Sequence, residues 1–322
     1  MVFKNENQKH PLVCVLTLNW NTKDMTIECI NSILQSDYPN FRVIVIDNGS
    51  TDGSAEVFKK EFGIQIEILE TRENLGYARG MNFGLEYGSK FNPDYFFIMN
   101  NDTKLDNKAI SEMVKTAQKY KNNCVVTGKV YFYDKPKTLQ TVGYNFNKKT
   151  LKGKKIGDGE IDNGQYDKES ERDMIDDIFM LLPVKIYREI GGYSFYFFMN
   201  YEQTDLVLSI QDAGYKAIYC PTAKLWHKVS HSTGGIGNPK MMYWDAKSLL
   251  IVHYLHSSFS RFLFFYISTL FIIIWGITKG VVGTIMKRTK NLKLRYALLV
   301  GFLSGTKWLF HKKEADSYNP FS

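Results

Sequence analysis

Cysteine is scarce and scattered in this chain. The four that occur, Cys14, Cys29, Cys124 and Cys220, form no CxxC pair and no Cys/His zinc spacing. A disulfide framework and a structural zinc site are thereby set aside, and a reducing compartment is the simplest setting. Cys14 and Cys124 lie in apolar stretches, where a thiol serves as a small hydrophobe. The first ten residues, MVFKNENQKH, are polar and hold no signal-peptide apolar run, so no secretory leader is expected there. Internal repeats and low-complexity tracts are absent too. Acidic residues are in deficit, 33 against 41 Lys and Arg, which gives a formal net charge of +8. That excess suits an anionic partner such as an acidic membrane face or a diphosphate substrate. No recognised nucleic-acid module accompanies it, so a nucleic-acid partner is not expected.

What is present is enough for a sizeable core. With 322 residues, 44% of them hydrophobic, the chain has room for one large domain plus an appendage. In the first half, apolar runs alternate with helical spacing. Strands are predicted at Leu12–Leu18, Phe41–Ile46, Ile64–Glu70 and Tyr95–Met99. Helices are predicted at Met25–Gln35, Ser54–Phe62 and, despite its glycines, Gly76–Tyr87. This rhythm means βαβ units, an α/β fold with a parallel sheet and helices on both faces. The stretch Lys148–Arg172 is rich in Gly, Lys, Asp and Glu and reads as a surface excursion, a candidate mobile loop over the site. Near the other end, Phe262–Thr278 carries no charge, and apolar character resumes after Lys279 as far as Met286. That length would cross a bilayer if Lys279 snorkels; a re-entrant or amphipathic anchor and a buried helix pair are the alternatives. The expected organisation is a tail at 1–10, a catalytic domain at 11–245 and a helical, membrane-associating region at 246–322.

Ligands of parallel sheets bind at the carboxyl ends of the strands. Three polar clusters fall at such ends: Thr17-Leu18-Asn19, Asp47-Asn48-Gly49-Ser50 and Asn100-Asn101-Asp102. In VIVIDNGSTDGS (Val43–Ser54), Asp47 can accept hydrogen bonds from a base or ribose, or a residue of this turn simply caps the next helix. In FFIMNNDT (Phe96–Thr103), Asp102 can give a hard divalent cation one oxygen ligand, the rest coming from elsewhere. Asn-Asp after a strand is also good turn chemistry. Further on, an aromatic run from Tyr193 to Tyr201 leads into Glu202 and Asp205. Beside an apolar wall a carboxylate loses hydration and becomes a better base. Asp205 serves as the second candidate or as a helix cap. His227, after an apolar run, is a candidate neutral imidazole ligand.

In this order the motifs resemble family 2 glycosyltransferases of GT-A fold, especially bacterial rhamnosyltransferase-like members that build cell-surface polysaccharides. The resemblance covers Pro11 to Trp244. It rests on Thr17-Leu18-Asn19, IDNGSTDGS, ENLGYARGMNFG (Glu73–Gly84), MNND (Met99–Asp102), GGYSFYFFMNYEQTDL (Gly191–Leu206) and DAGYKAIYCPTAKLWHKVSHSTGG (Asp212–Gly235). It implies a Rossmann-like, mostly parallel sheet and an inverting transfer from a nucleoside diphosphate sugar, assisted by Mg²⁺ or Mn²⁺. By resemblance Asp47 contacts the nucleobase, Thr17 and Asn19 line the nucleotide pocket, and Asn74, Gly76 and Arg79 lie near the ribose and diphosphate. Asn100, Asn101 and Asp102 stand at the DxD-type motif, with Asp102 the retained metal carboxylate and His227 completing metal or diphosphate binding. Gln203 replaces the second acid of the usual Glu-Asp pair, which leaves Glu202 as the expected base and Asp205 in reserve.

The implied chemistry has Glu202 taking a proton from an acceptor hydroxyl that attacks the anomeric carbon from the face opposite the diphosphate, inverting configuration. The acceptor implied is a saccharide, presented on a polyprenyl diphosphate carrier at the cytoplasmic face of the bacterial membrane. Basic residues around the apolar segment (Lys287, Arg288, Lys290, Lys293, Arg295, then Lys307, His311, Lys312 and Lys313) suit that surface. Rhamnose on dTDP is the first donor to test. Two rivals remain open: a sugar-phosphate nucleotidyltransferase, which the lack of a Gly-rich phosphate loop at Leu16–Asp24 disfavours, and a non-catalytic sugar-nucleotide-binding scaffold, which Asn100 and Gln203 favour.

Overall fold

Strands buried on both faces need apolar side chains at every position, and the first strand, VCVLTLN, is such a run. In the computed structural model, which describes residues 10–228, 238–285 and 292–321 (280–285 without their side chains), that strand, β1 (Val13–Asn19), lies mid-sheet. Chain order continues α1 (Lys23–Leu34), β2 (Phe41–Asp47), α2 (Ser54–Phe62), β3 (Ile66–Glu70), α3 (Tyr77–Ser89), β4 (Tyr95–Met99), β5 (Thr103–Leu105) and α4 (Ala109–Lys119). Then come β6 (Cys124–Phe132), β7 (Lys135–Thr141), β8 (Tyr144–Asn147), β9 (Lys152–Lys155), β10 (Ser170–Glu171) and β11 (Phe179–Pro183). The rest is α5 (Val184–Ile190), α6 (Glu202–Asp212), β12 (Lys216–His227), α7 (Pro239–His256), α8 (Phe259–Ile285) and α9 (Leu292–His311).

Ten strands form one sheet with the central order β10-β12-β6-β11-β4-β1-β2-β3, while β5 and β7 pair at its edges with β12 and β6. Among them β1, β2, β3, β4, β6 and β12 run the same way, and β11 runs against its two neighbours. Alternate side chains divide the core in two. Val13 and Val15 join Ile30, Phe58 and Ile110 on the α1/α2/α4 side. Cys14 and Leu16 join Met81, Leu85, Leu206 and Ile251 on the α3/α6/α7 side. The period of two therefore builds a three-layer α/β/α sandwich. The glycines of α3 explain why a helix forms there in spite of them. A Cβ at Gly80 would stand 2.5 Å from Leu18, and one at Gly84 2.6 Å from Ile46, so the stripe lets α3 press onto the sheet.

All four cysteines are buried and free, as a hydrophobe's role requires. The segment Lys148–Arg172 is not a loose lid. It contains β9, paired with β8 in a hairpin, and carries Asp162 and Asp167, which meet the Lys129 ammonium at 2.7 and 2.6 Å. The expected boundary at 245/246 falls inside α7. The α7 helix is tied to the rest of the fold by Ser248, which donates to the Met199 carbonyl, and by Asp245, which accepts from Asn200 at 2.6 Å. Among the described residues, α8 is the one helix long and apolar enough to cross a membrane, and most of it is exposed. Residues 1–9, Met286, Lys287, Arg288, Lys290 and the 229–235 part of the last motif lie outside the described residues.

Candidate active site

Because β1, β2, β4 and β12 share a direction, Asn19, Asp47, Met99 and His227 finish at the same edge of the sheet. The reversed direction of β11 brings its leading residues, Asp176 and Asp177, to that edge as well, since Phe179 pairs with Met99. A cavity of about 360 Å³ opens there, walled by Asn74, Gly76, Asn101, Asp102, Asp177 and Glu202.

Its floor is a hydrogen-bond network. The buried Asn19 side chain donates to Asp47 Oδ1 at 3.0 Å and accepts from Thr22 and Thr26 at 3.1 and 2.8 Å. Asn101 donates to the same two hydroxyls, each at 2.7 Å. Asn48 donates to Asn74 Oδ1 and to the Gly76 carbonyl, and accepts from the Leu75 amide at 3.1 Å. Such cross-tying fixes three strand-end loops relative to one another. Gly76 has φ +78°, and a Cβ on it would lie 2.4 Å from the Phe198 carbonyl oxygen, so this wall admits only glycine.

At the Asp102 side of the cavity, two segments far apart in sequence meet through strand pairing. Thr103 of β5 pairs with His227 of β12, which brings Asp102 beside the imidazole, and the Lys228 amide donates to the Asp102 carbonyl at 2.9 Å. His227 Nε2 stands 3.1 Å from Asp102 Oδ1, and both residues are buried. The other ring nitrogen, Nδ1, is 2.9 Å from Gln140 Oε1. The imidazole is thus held between a carboxylate and a side-chain amide, one at each ring nitrogen.

Across the cavity, Glu202 opens α6. It is 7% exposed, and its Oε2 has no hydrogen-bond partner among the described residues. Burial, and secondarily the nearby Asp177 carboxylate, push its pKa up to about 8. Asp177 is raised to about 6, again by burial, although Tyr193 Oη donates to it at 2.6 Å. The turn that aims Glu202 is unusual, since Asn200 and Tyr201 both have left-handed backbone at φ 66° and 65°. Asparagine tolerates this and is pinned by Asp245; for tyrosine it costs on the order of 1 kcal/mol.

The model for the family described as Glycosyl transferase family 2 matches residues 13–181, more than half of the chain. The chain belongs to that family. Among its curated relatives, poly-beta-1,6-N-acetyl-D-glucosamine synthase of Staphylococcus epidermidis is 24% identical over 251 residues, covering 76% of this chain and 56% of that protein. Glycosyltransferase GlyG of Streptococcus pneumoniae is 30% identical over 126 residues, 38% of this chain and 40% of that one. Each match thus spans about half the relative's length or less. Among solved structures, the mannosyltransferase PcManGT of Pyrobaculum calidifontis, in complex with GDP-Man and Mn²⁺, superposes with a TM-score of 0.55 at 15% identity, covering 94% of this chain and 88% of that one. The S. aureus TarS 1–349 structure gives 0.52 at 11% identity, over 74% and 64%. These likenesses bear out the GT-A glycosyltransferase fold expected from the motifs.

Within this family 2 chain, six of the expected site residues line the cavity: Asn74, Gly76, Asn100, Asn101, Asp102 and Glu202. His227 touches Asp102 from behind. Asn19 and Asp47 bond each other beneath the cavity, so Asn19 positions Asp47 and does not form the wall. Three others sit elsewhere. Thr17 is fully buried in the strand interior. Arg79 donates to the Ala315 carbonyl at 3.4 Å. Asp205, the reserve base, accepts from His256 Nε2 at 2.8 Å and lines a different hollow beside Ser209. Sequence reasoning missed Gln140, Asp176 and Asp177, and named Asn48 only as a member of its strand-end cluster. The Asp176-Asp177 doublet, directly before the apolar run Phe179–Pro183, was the legible signal for the last two.

Proposed function

We propose that this chain is an inverting, metal-dependent glycosyltransferase that moves a sugar from a nucleoside diphosphate sugar to a saccharide acceptor in bacterial cell-surface polysaccharide synthesis. The observation that carries the reading is Glu202, a buried carboxylate with raised pKa and an orphaned oxygen, facing Asp102 across one cavity. A buried acceptor atom without a partner is costly unless a ligand hydroxyl supplies one. In the transfer, the acceptor oxygen bonds to the anomeric carbon and the bond to the diphosphate oxygen breaks, the electron pair leaving with the diphosphate. The hydroxyl proton passes to Glu202.

Asp102 and His227 fit a divalent cation. Two ligands about 2.1 Å from one ion and at right angles stand roughly 3.0 Å apart, close to the 3.1 Å seen here. Among the described residues no third acidic, histidine or cysteine ligand joins them. That suits Mg²⁺ or Mn²⁺, which keep open positions for water and diphosphate oxygens. When bound, the cation supplies Lewis-acid stabilisation of charge on the departing diphosphate. Asp47, held by Asn19 and Ser50, is the proposed contact for the nucleobase.

The exposed apolar residues of α8, among them Phe264, Ile267, Phe271 and Trp275, support attachment to a bilayer. Its inner face packs on α9, with Tyr266 against Phe302 and Gly276 against Arg295, and α9 lies in turn on α7 at Gly301 and Gly305. An apolar helix held to the protein by one face and exposed over most of its surface supports an anchor lying in the membrane plane. The setting proposed is the cytoplasmic face, where a polyprenyl-diphosphate-linked acceptor is presented.

Thermal shift against a panel of nucleoside diphosphate sugars, dTDP-rhamnose first, with and without Mn²⁺, tests the donor side. A metal-dependent rise for one donor, lost in Asp102→Ala, is expected. No rise with any donor returns the scaffold reading.

A further inference from the structure

A hollow of about 780 Å³ shares no lining residue with the donor cavity. Its walls are one face of α9, the α7 pair Tyr243 and Lys247, and the segment 313–320. The α9 residues that line it, Ser304, Lys307, Trp308 and His311 among them, recur at helical spacing, so a single face of the helix supplies them. Tyr243 and Lys247 stand four apart on α7 and share a face for the same reason. The frame is tight. A Cβ at Gly301 would collide with the Tyr243 carbonyl oxygen, and one at Gly305 would stand 3.1 Å from that of Lys247. Tyr243 Oη and Ser304 Oγ are hydrogen-bonded at 3.0 Å across the same joint. The third wall is pinned twice: Trp308 Nε1 donates to the Lys313 carbonyl, and Asn319 to the Lys240 carbonyl, each at 3.1 Å.

The decisive group is Lys247, which is only 9% exposed and yet lines the hollow. Its ammonium stands 4.9 Å from the centre of the Trp244 ring, and among the described residues it makes no hydrogen bond and no ion pair. Burial pulls its pKa below the ordinary lysine value, opposed by the Asp316 carboxylate, which acts on it without pairing. A buried ammonium with no carboxylate against it is costly unless an anion comes to it. Lys307 and Lys313, both exposed, bring two more ammonium groups to the lining, against the acids Glu314 and Asp316. The volume is far larger than a bare phosphate needs and falls in the range of small-molecule sites.

We propose that this hollow seats an organic phosphate, its phosphate held by Lys247 and Lys307 and its hydroxylated body against Trp308 and Tyr196, and that filling it steadies the turn that aims Glu202. A phosphate offers several acceptor oxygens to converging ammonium groups, and Tyr and Trp rings suit a polyol or sugar body. The link to the turn runs through α7. Asp245 and Ser248 lie on either side of Lys247 in the chain, and they hold Asn200 and the Met199 carbonyl. A ligand that fastens Lys247 makes any opening that releases those two bonds rarer. Soluble phosphate esters and anionic phospholipid headgroups share this chemistry. Binding here does not depend on the transferase reading; the importance of the turn does.

The test uses the full chain in EDTA at fixed detergent, with glycerol 3-phosphate as the probe, read by calorimetry. Wild type should bind it with a dissociation constant of about 1 mM or tighter. Lys247→Met, which keeps a long side chain over Trp244, should weaken binding at least about tenfold. The surface change Lys307→Glu should weaken it about threefold, and Asp316→Asn should tighten it by a similar factor. No binding by wild type overturns the proposal, as does binding that neither Lys247→Met nor Lys307→Glu reduces. If Lys247→Met fails to fold, the opposite signs of the two surface variants decide. With probe at ten times its dissociation constant, amide hydrogen exchange across residues 200–205 should slow by up to about tenfold, and unchanged exchange overturns the link to the turn. Vesicles of phosphatidylglycerol, against phosphatidylcholine, separate the sources. Vesicle binding that Lys247→Met loses and the probe competes assigns the headgroup, and vesicle binding equal in both proteins assigns the soluble ester. Donor binding is measured separately with nucleoside diphosphate sugars and Mn²⁺. Its absence beside intact probe binding strikes the transferase reading and leaves the phosphate site standing.

Discussion

Replacing Glu202 by glutamine should make the protein more stable at alkaline pH while removing its activity. In the folded state the Glu202 pKa is pushed to about 8 from an ordinary 4.5, chiefly by burial. The folded protein therefore holds a proton between those values that the unfolded chain has released. The contribution of Glu202 to stability is intact below 4.5 and is lost progressively as the pH climbs to about 8. At about 1.4 kcal/mol per pH unit, the full shift sets a ceiling of roughly 5 kcal/mol. Glutamine escapes the ionisation cost but still buries an amide, so we expect a net gain of about 2 kcal/mol at pH 9. For a chain of this size that corresponds to a melting temperature higher by about 3 °C. Melts of wild type and Glu202→Gln in EDTA from pH 4.5 to 9 measure it. At the acid end, where wild-type Glu202 keeps its proton, the variant should be less stable by about 3 kcal/mol, and the curves should cross as pH rises. A difference that does not change with pH, or a variant less stable at pH 9, refutes the reasoning.

Three further outcomes follow from the same geometry. Turnover should rise with pH along a single acid limb whose midpoint lies at or below about 8, because Glu202 must lose its proton to act and a nearby cation favours that loss; a pH-rate profile with saturating donor and Mn²⁺ checks it. Gly76→Ala should cost about 2–3 kcal/mol in urea melts and weaken donor binding, since the new methyl meets the Phe198 carbonyl and the residue must keep φ +78°. Asp205→Asn should lower stability by about 1–2 kcal/mol through its bond to His256 and leave turnover at the wild-type order, which separates it from Glu202.

Much of the nucleotide-binding half was legible because its information is local. Continuous apolar runs at β1, β2 and β4 announce strands buried on both faces, and the observed β2, α2 and β4 limits lie within a residue of those expected. Strand-end polarity likewise pointed to Asp47 and Asp102. Long-range pairing was harder to read. Asp102 meets His227 only because β5 pairs with a strand more than a hundred residues away, and no local pattern carries that register. Asp205 stood in reserve to Glu202 on the same helix, yet a histidine from α7 takes it out of the site. Asp177 reaches the catalytic edge because β11 runs backwards into it, a direction no local pattern announces. The Lys148–Arg172 segment read as loose because its charges were taken as solvated, whereas two of its acids answer the buried Lys129.

The most direct test of the central claim, that Glu202 acts on a sugar donor bound at Asp102, is the release of nucleoside diphosphate. Wild type and Glu202→Gln are compared on the donor found by thermal shift, with Mn²⁺ and donor affinity recorded for both. We predict slow release by wild type, falling by about 10²–10⁴-fold in the variant while donor affinity is retained. Release at the wild-type rate by Glu202→Gln would contradict the assignment and move the search for the base to Asp177.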